Sequence, residues 1–333
     1  MRASYLSLVA CGIAAFLAGC TPGGESNSTS STTPGRLEIA VIPKGTTHQF
    51  WKSIHAGANK AASELDVDII WQGPQREDDR QLQIQVVQNF ISRGVDAIVL
   101  APLDARSLAP PVEAAVGRKI PVVIIDSALE SDAQSSFVAT DNRAGGRLSA
   151  RRLADLLGKQ GRVIVLRYQE GSASTAHREE GFLEEIRTYA PDIEIISENQ
   201  YAGPTVERAL QASQNLLNRF ADVDGIFASN ESATQGMLRA LETAGRAGAV
   251  RFVGFDANET LLAGLRAGHI QGLALQDPFD MGYNGVKTAV AILRNEPFES
   301  RLDTRIMMIT PENIDTPEAR ELLTPDLATW LNE

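Results

Sequence analysis

Residues 37–71 read LEIAVIPKGTTHQFWKSIHAGANKAASELDVDIIW, and their pattern decides the fold class. Residues 37–42 form a short apolar run of strand character, and residues 67–71 form another. Between them Ile54, Ala58, Ala61 and Leu65 fall at i, i+4, i+7 and i+11, the stripe of one buried helix face. A strand, a crossover helix and a second strand make the repeating unit of a parallel sheet.

The same rhythm continues outward. Strands are predicted over 97–100, 121–125, 162–166, 193–197, 225–228, 251–255 and 271–275, several of them apolar on both faces as buried parallel strands are. Leu82, Val86 and Phe90 repeat every four residues and are expected in the core. Gly94, Gly158 and Gly268 fall where helices should end, because glycine adopts the left-handed conformation at little cost. Near Thr140-Asp141-Asn142-Arg143-Ala144-Gly145-Gly146 one βα series gives way to a second, and the paired glycines allow close helix packing. Some 300 residues of this rhythm suggest two doubly wound, Rossmann-like α/β domains.

The N-terminus differs in kind. MRASYLSLVACGIAAFLAGC has one early cation, Arg2, and an apolar run too short for a membrane span, so residues 1–19 read as a secretory signal. Leu17-Ala18-Gly19-Cys20 resembles the bacterial lipoprotein signal, which implies cleavage before Cys20, lipid on its thiol and a membrane-held protein outside the cytoplasm. Residues 21–35, TPGGESNSTSSTTPG, have the composition of a flexible tether. The other cysteine, Cys11, lies in the segment to be removed, so thiolate metal and redox sites are not expected. His48, His55, His177 and His269 are not spaced as ligand pairs, and no metal or cofactor is implied. A formal charge of −11 argues against a nucleic-acid surface. Neither GxSxG nor a P-loop occurs, and no nucleophile motif is recognisable, so no enzyme is indicated.

Open α/β sheets bind ligands beyond the carboxyl ends of their strands. Polar side chains stand there repeatedly: Lys44 to Gln49 after the first strand, then Asp126-Ser127, Asn230-Glu231, Asp256 and Gln276. Such residues with the aromatic pair Phe50-Trp51 suit a molecule with hydroxyls on its rim and C–H groups on its faces. Neighbours on a helix diverge by about 100°, so one of the two rings should face the ligand. Helix capping competes as a role for Asn230 and Asp256, and a surface ion pair with Glu179 or Glu180 for Arg178. Lys44, Glu77, Asp78 and Asp79 read as solvated loop charges.

His48-Gln49-Phe50-Trp51, Ile124-Ile125-Asp126, Ala139-Thr140-Asp141-Asn142, Ala176-His177-Arg178-Glu179-Glu180-Gly181-Phe182, Ala228-Ser229-Asn230-Glu231, Val253-Gly254-Phe255-Asp256 and Leu275-Gln276-Asp277-Pro278 occur in this order along 37–311. Together they resemble ribose-type periplasmic sugar-binding proteins, which share the fold of the LacI-type repressor ligand-binding half. The resemblance implies a type I periplasmic-binding-protein-like clamp with a three-segment hinge. It implies an N-terminal subdomain of 36–140 plus 277–302, a C-terminal subdomain of 141–276 plus 303–312, and an extension over 313–333. It implies that Phe50 and Trp51 edge the sugar, with His48 before them. Asp126 would take hydroxyls from the first domain, and Arg178, Asn230 and Asp256 from the second, with Gln276 at the hinge.

Ser127 stands where the ribose pattern has arginine, and Pro204 near an expected aromatic, so a sugar or polyol other than ribose is open. The resemblance also implies a monomer that delivers its ligand to an ABC permease; a sensory receptor presenting a sugar-like signal is the alternative. A DNA-binding regulator would need a helix-turn-helix where the signal and tether lie. Leu322, Leu323, Leu327, Trp330 and Leu331 suggest an amphipathic tail packed on the body.

Overall fold

The computed structural model describes residues 35–331; the expected signal, Cys20 and most of the tether lie outside the described residues. Strand order explains the architecture. The strands are β1 Glu38–Ile42, β2 Asp68–Trp71, β3 Ala97–Leu100, β4 Val122–Ile125, β5 Ser136–Thr140, β6 Gln160–Arg167, β7 Asp192–Tyr201, β8 Gly225–Ala228, β9 Arg251–Phe255, β10 Gly272–Gln276, β11 Arg301–Thr304 and β12 Ile306–Ile309. They form two six-stranded sheets, ordered β11-β5-β4-β3-β1-β2 and β12-β10-β9-β8-β6-β7, parallel except where β12 runs antiparallel to β10. The first sheet carries helices α1 Gln49–Leu65, α2 Arg80–Arg93, α3 Ala109–Gly117 and α9 Pro278–Leu293. The second carries α4 Asn142–Leu156, α5 Ala173–Tyr189, α6 Val206–Arg219, α7 Glu231–Thr243 and α8 Glu259–Arg266, and the chain ends in α10 Pro317–Leu323 and α11 Leu327–Leu331.

The chain passes between sheets at 140–142, at 276–278 and at Arg305. The last crossing lies beyond the expected boundary at Leu302, because β11 stays paired with β5 through Thr304. Three strands escaped the sequence pattern. β5 is flanked by serines, β11 reads RLDT with two charges, and Arg305 divides a continuous run into strands of different sheets. The C-terminal tail packs on the body as expected, with Ile314, Ala319 and Leu322 joining the core of the second lobe.

Helix α1 buries Ile54, Ala58 and Ala61, with Leu65 packed at the edge of the same core. Leu82 departs from expectation at 38% exposed: it lies in the first turn of α2, before the stripe through Val86 and Phe90 reaches the sheet. Gly94, Gly158 and Gly268 all have positive φ at helix ends. Gly146 has another role. A Cβ there would stand 2.7 Å from Phe182 N and closer still to Arg178 O, so α4 and α5 touch backbone to backbone. Alanine normally stabilises a helix by about 0.5–1 kcal/mol over glycine. Here Gly146→Ala is expected to destabilise by about 1–3 kcal/mol through overpacking, read as a lower urea midpoint.

Candidate functional site

The two lobes present equivalent corners to each other. Asp126 follows β4 and Asp256 follows β9, the third strand of each sheet order, and both residues adopt left-handed backbone, at φ 62 and 64. Asp126 N donates to Val138 O at 3.0 Å and Asp256 N to Ala274 O at 2.9 Å, the same bond to the next strand in each lobe. A non-glycine residue in this region is uncommon and is held by its surroundings. The consequence is a pair of buried carboxylates, one per lobe, facing one interlobe cavity.

Around that cavity stand His48, Phe50, Trp51, Asp126, Arg178, Asn230, Asp256 and Gln276, all expected there from sequence. Phe50 and Trp51 both reach it, their rings edge-on at 5.0 Å, because the cavity sits over the first turn of α1. Ser127 does not line it: fully buried, its Oγ accepts the Ser174 N–H at 3.0 Å and fastens one lobe to the other. Arg178 avoids both neighbouring glutamates, which pair with Arg167 and Arg143. Instead its Nε donates to Asn142 Oδ1 at 2.7 Å and a terminal nitrogen to Ser229 O at 3.0 Å, with the guanidinium 4.0 Å from the Phe255 ring centre. Asn230 both lines the cavity and caps α7, accepting from Ala233 N at 3.2 Å.

Lys44 and Glu77 overturn their reading as solvated charges. Lys44 is 3% exposed, with Nζ 2.6 Å from Asp126 Oδ2 and donating to Ser174 Oγ across the cleft at 3.0 Å. Glu77 gathers His48 Nδ1 at 2.7 Å, Trp51 Nε1 at 2.7 Å and the Tyr168 hydroxyl at 2.6 Å, the last from the opposite lobe. Of the other two charges, Asp79 caps α2 and Asp78 pairs with Arg76. Tyr168, Ser172, Ser174 and Thr175 also line the site unforeseen, and so does Glu231, which the sequence placed beyond a strand end without a ligand role. A signal existed for some, since Lys44, Glu77 and Tyr168 each follow the carboxyl end of a strand, β1, β2 and β6. Tyr168 supplies a second-lobe aromatic, as Pro204 could not.

Burial opposes the charge on His48, yet Glu77 beside it, with Glu231 and Asp256 further off, raises its pKa to about 9. Burial likewise opposes ionisation of Glu77, but His48, Lys44 and the Trp51 N–H bring it down to about 2. The contribution of Glu77 to stability is therefore present above its ordinary 4.5 and lost as pH falls through 2. That of His48 is present below 6.5 and lost as pH rises through 9, so the pair holds fully between these ordinary values. Asp256 differs: burial pushes it up to about 6, against the pull of Arg178 and Gln276. It is ionised above about 6 and protonates more readily than in the unfolded chain, so a ligand that donates to the carboxylate should bind more weakly as pH falls below about 6. The expected loss is up to tenfold per unit, measured by calorimetry between pH 5 and 8.

Contacts across the cleft enclose the site. Besides those of Lys44, Ser127 and Tyr168, Phe50 N donates to Glu231 Oε2 at 3.3 Å and Ala105 N to Gly171 O at 3.0 Å. The enclosed space is about 30 Å³, room for roughly two waters, so a ring-sized ligand enters only as the lobes part. Asp126 Oδ2, Ser172 Oγ and Gln276 Oε1 are buried at its walls without hydrogen-bond partners, though Lys44 neutralises the first.

Two α/β lobes closing on a polar, aromatic-edged cavity define a clamp that captures a small molecule. The sequence matches the periplasmic binding protein domain over residues 39–297, and the chain belongs to that family, which is one of binding proteins with the type I fold. It is 32% identical to a carbohydrate transporter solute-binding protein from Agrobacterium radiobacter in complex with D-arabinose, with a TM-score of 0.85 over 88% of this chain and 100% of that one. A solute-binding protein from Agrobacterium vitis with bound D-fucose is 37% identical, with a TM-score of 0.83 over 86% of this chain and 100% of that one. The xylitol-binding protein of Mycolicibacterium smegmatis is 27% identical over 298 residues, covering 89% of this chain and 83% of its relative.

Proposed function

We propose that this chain captures a neutral sugar or polyol outside the cytoplasm and delivers it to the permease of an ABC importer. The observation that carries the reading is the pair Asp126 and Asp256, one from each lobe, converging on one cavity edged by Phe50, Trp51 and Tyr168. Carboxylates accept hydroxyl hydrogens in charge-assisted bonds, and aromatic rings cover the C–H faces of a sugar. Each cation of the site has a carboxylate, Lys44 with Asp126, His48 with Glu77 and Arg178 with Asp256, and the fourth carboxylate, Glu231, accepts from Phe50 N and Asn258 Nδ2. With every cation matched, none is left over for an anionic ligand, which favours an uncharged one. The relatives that bind D-arabinose, D-fucose and xylitol support the same class.

Binding begins on one lobe of the open clamp. The crossings at 140–142, 276–278 and Arg305 then flex, and the second lobe completes the shell; ligand favours closure through contacts made only in the closed form. The closed lobes form the surface that the permease reads. Lipid on Cys20 tethers the protein to the membrane, supported by Leu17-Ala18-Gly19-Cys20 and the Ser/Thr-rich segment behind it. Mass spectrometry of the protein from membranes should find a diacylglycerol-modified N-terminal cysteine, and Cys20→Ala should leave it soluble.

The functional test is a thermal-shift panel of pentoses, hexoses and polyols, with hits confirmed by calorimetry. A ligand at 1,000 times its Kd adds about 4 kcal/mol of stability, a shift of many degrees. One stereoselective neutral sugar or polyol is the expected result; a response confined to sugar acids or amino acids would sink the assignment.

A further inference from the structure

We propose that the ligand site has a second compartment, beside the sugar cavity, that takes the O-linked alkyl substituent of a glycoside; this rests on the sugar-binding reading above. A cavity of about 490 Å³ adjoins the central one, a size typical of small-molecule pockets. Phe50, Asp256 and Gln276 line both and form the shared wall. In that wall Gln276 is 1% exposed; its Nε2 donates to Asp256 Oδ1 at 2.7 Å, while its buried Oε1 has no partner. A buried acceptor is unfavourable until a donor reaches it, and a second ring hydroxyl, next to the one that donates to Asp256, is such a donor.

Past the wall the chemistry changes. The charged pairs of the centre give way to a lining in which Ser53, Asn258 and Thr260 stand with Leu262, Leu275 and Leu327; Glu259 adds a carboxylate, and no Lys, Arg or His is among the lining residues. Such a lining accommodates an ether oxygen and a short aliphatic chain, and offers no cation to a phosphate or carboxylate. The roof comes from the chain's last segment. Helix α10 is rooted in the second lobe through Ala319 and Leu322, while α11 lies on α1, where Asn59 Nδ2 donates to Trp330 O at 2.7 Å. A roof that spans both lobes encloses the substituent in the same closure that encloses the sugar.

The test is a calorimetric series on the purified protein with D-arabinose, D-fucose and D-ribose and their methyl, ethyl and propyl glycosides in both anomers. For one anomer of the sugar that binds, the methyl glycoside should stay within about threefold of the free sugar, and each added methylene should tighten Kd roughly three- to fourfold. Thr260→Trp, at an exposed position that lines the second cavity alone, should keep the free-sugar Kd and erase the chain-length gain. Free sugar bound with every glycoside rejected, a flat chain-length series, or a gain that survives Thr260→Trp overturns the compartment and leaves the sugar reading intact. If neither these sugars nor their glycosides bind, the compartment reading falls, and the sugar reading falls with it only when the wider panel of pentoses, hexoses and polyols is silent too.

Discussion

Asp126→Ala should lower sugar affinity by at least about a hundredfold. Two charge-assisted hydrogen bonds to hydroxyls, at about 1.5–3 kcal/mol each, are lost at once. The same change leaves Lys44 Nζ, now 2.6 Å from Asp126 Oδ2 and almost wholly buried, without its counter-charge. Breaking one side of a buried pair costs about 3–5 kcal/mol, so the variant should also melt earlier. Lys44→Met in the same chain separates the two effects: the double variant should regain most of the stability and none of the affinity. Asp256→Ala should weaken binding comparably from the other lobe. Calorimetry and thermal melts on the four proteins check this, and unchanged affinity in both aspartate variants would remove these residues from the site.

Glu77→Ala is the larger test of stability. One carboxylate holds His48, Trp51 and Tyr168, so its loss strands two N–H groups and a hydroxyl in a buried setting. The expected cost is about 3–5 kcal/mol, which lowers the melting temperature on the order of 10 °C in a protein of this size. The acid limb should change too. Wild type loses the contribution of Glu77 as pH falls from 4.5 towards 2, a loss the alanine variant cannot show. Tyr168→Phe removes one of several bonds between lobes and leaves Glu77 Oε2 without its donor, so a loss of about 1–3 kcal/mol, smaller than that of Glu77→Ala, is the expected pattern. A Glu77→Ala protein as stable as wild type would mean the cluster holds nothing together.

The alternation of apolar runs and helical stripes made the two sheets legible, because buried parallel strands are recorded directly in hydrophobicity. Where the record is short it fails: RLDT carries two charges in a four-residue strand, and Arg305 hides a change of sheet. Asp126, Asp256 and Gln276 were visible because each ends an apolar strand, and the family resemblance gave Arg178 its direction. Lys44 and Glu77 were not, although both follow strand ends. A lone charge in a loop reads as solvated until its partner is known, and the partners of these two lie far along the chain, at Asp126 and at Tyr168. Ser127 went the other way: adjacent to a cavity-facing aspartate, it turns towards Ser174 instead.

Carboxylates from both lobes are expected to hold one neutral sugar or polyol in the cleft. A crystal structure with the tightest ligand of the panel tests it most directly. Hydroxyls should lie within hydrogen-bonding distance of both Asp126 and Asp256, with Phe50 or Trp51 against a C–H face. A ligand that sits outside this cleft, or touches neither carboxylate, would contradict it.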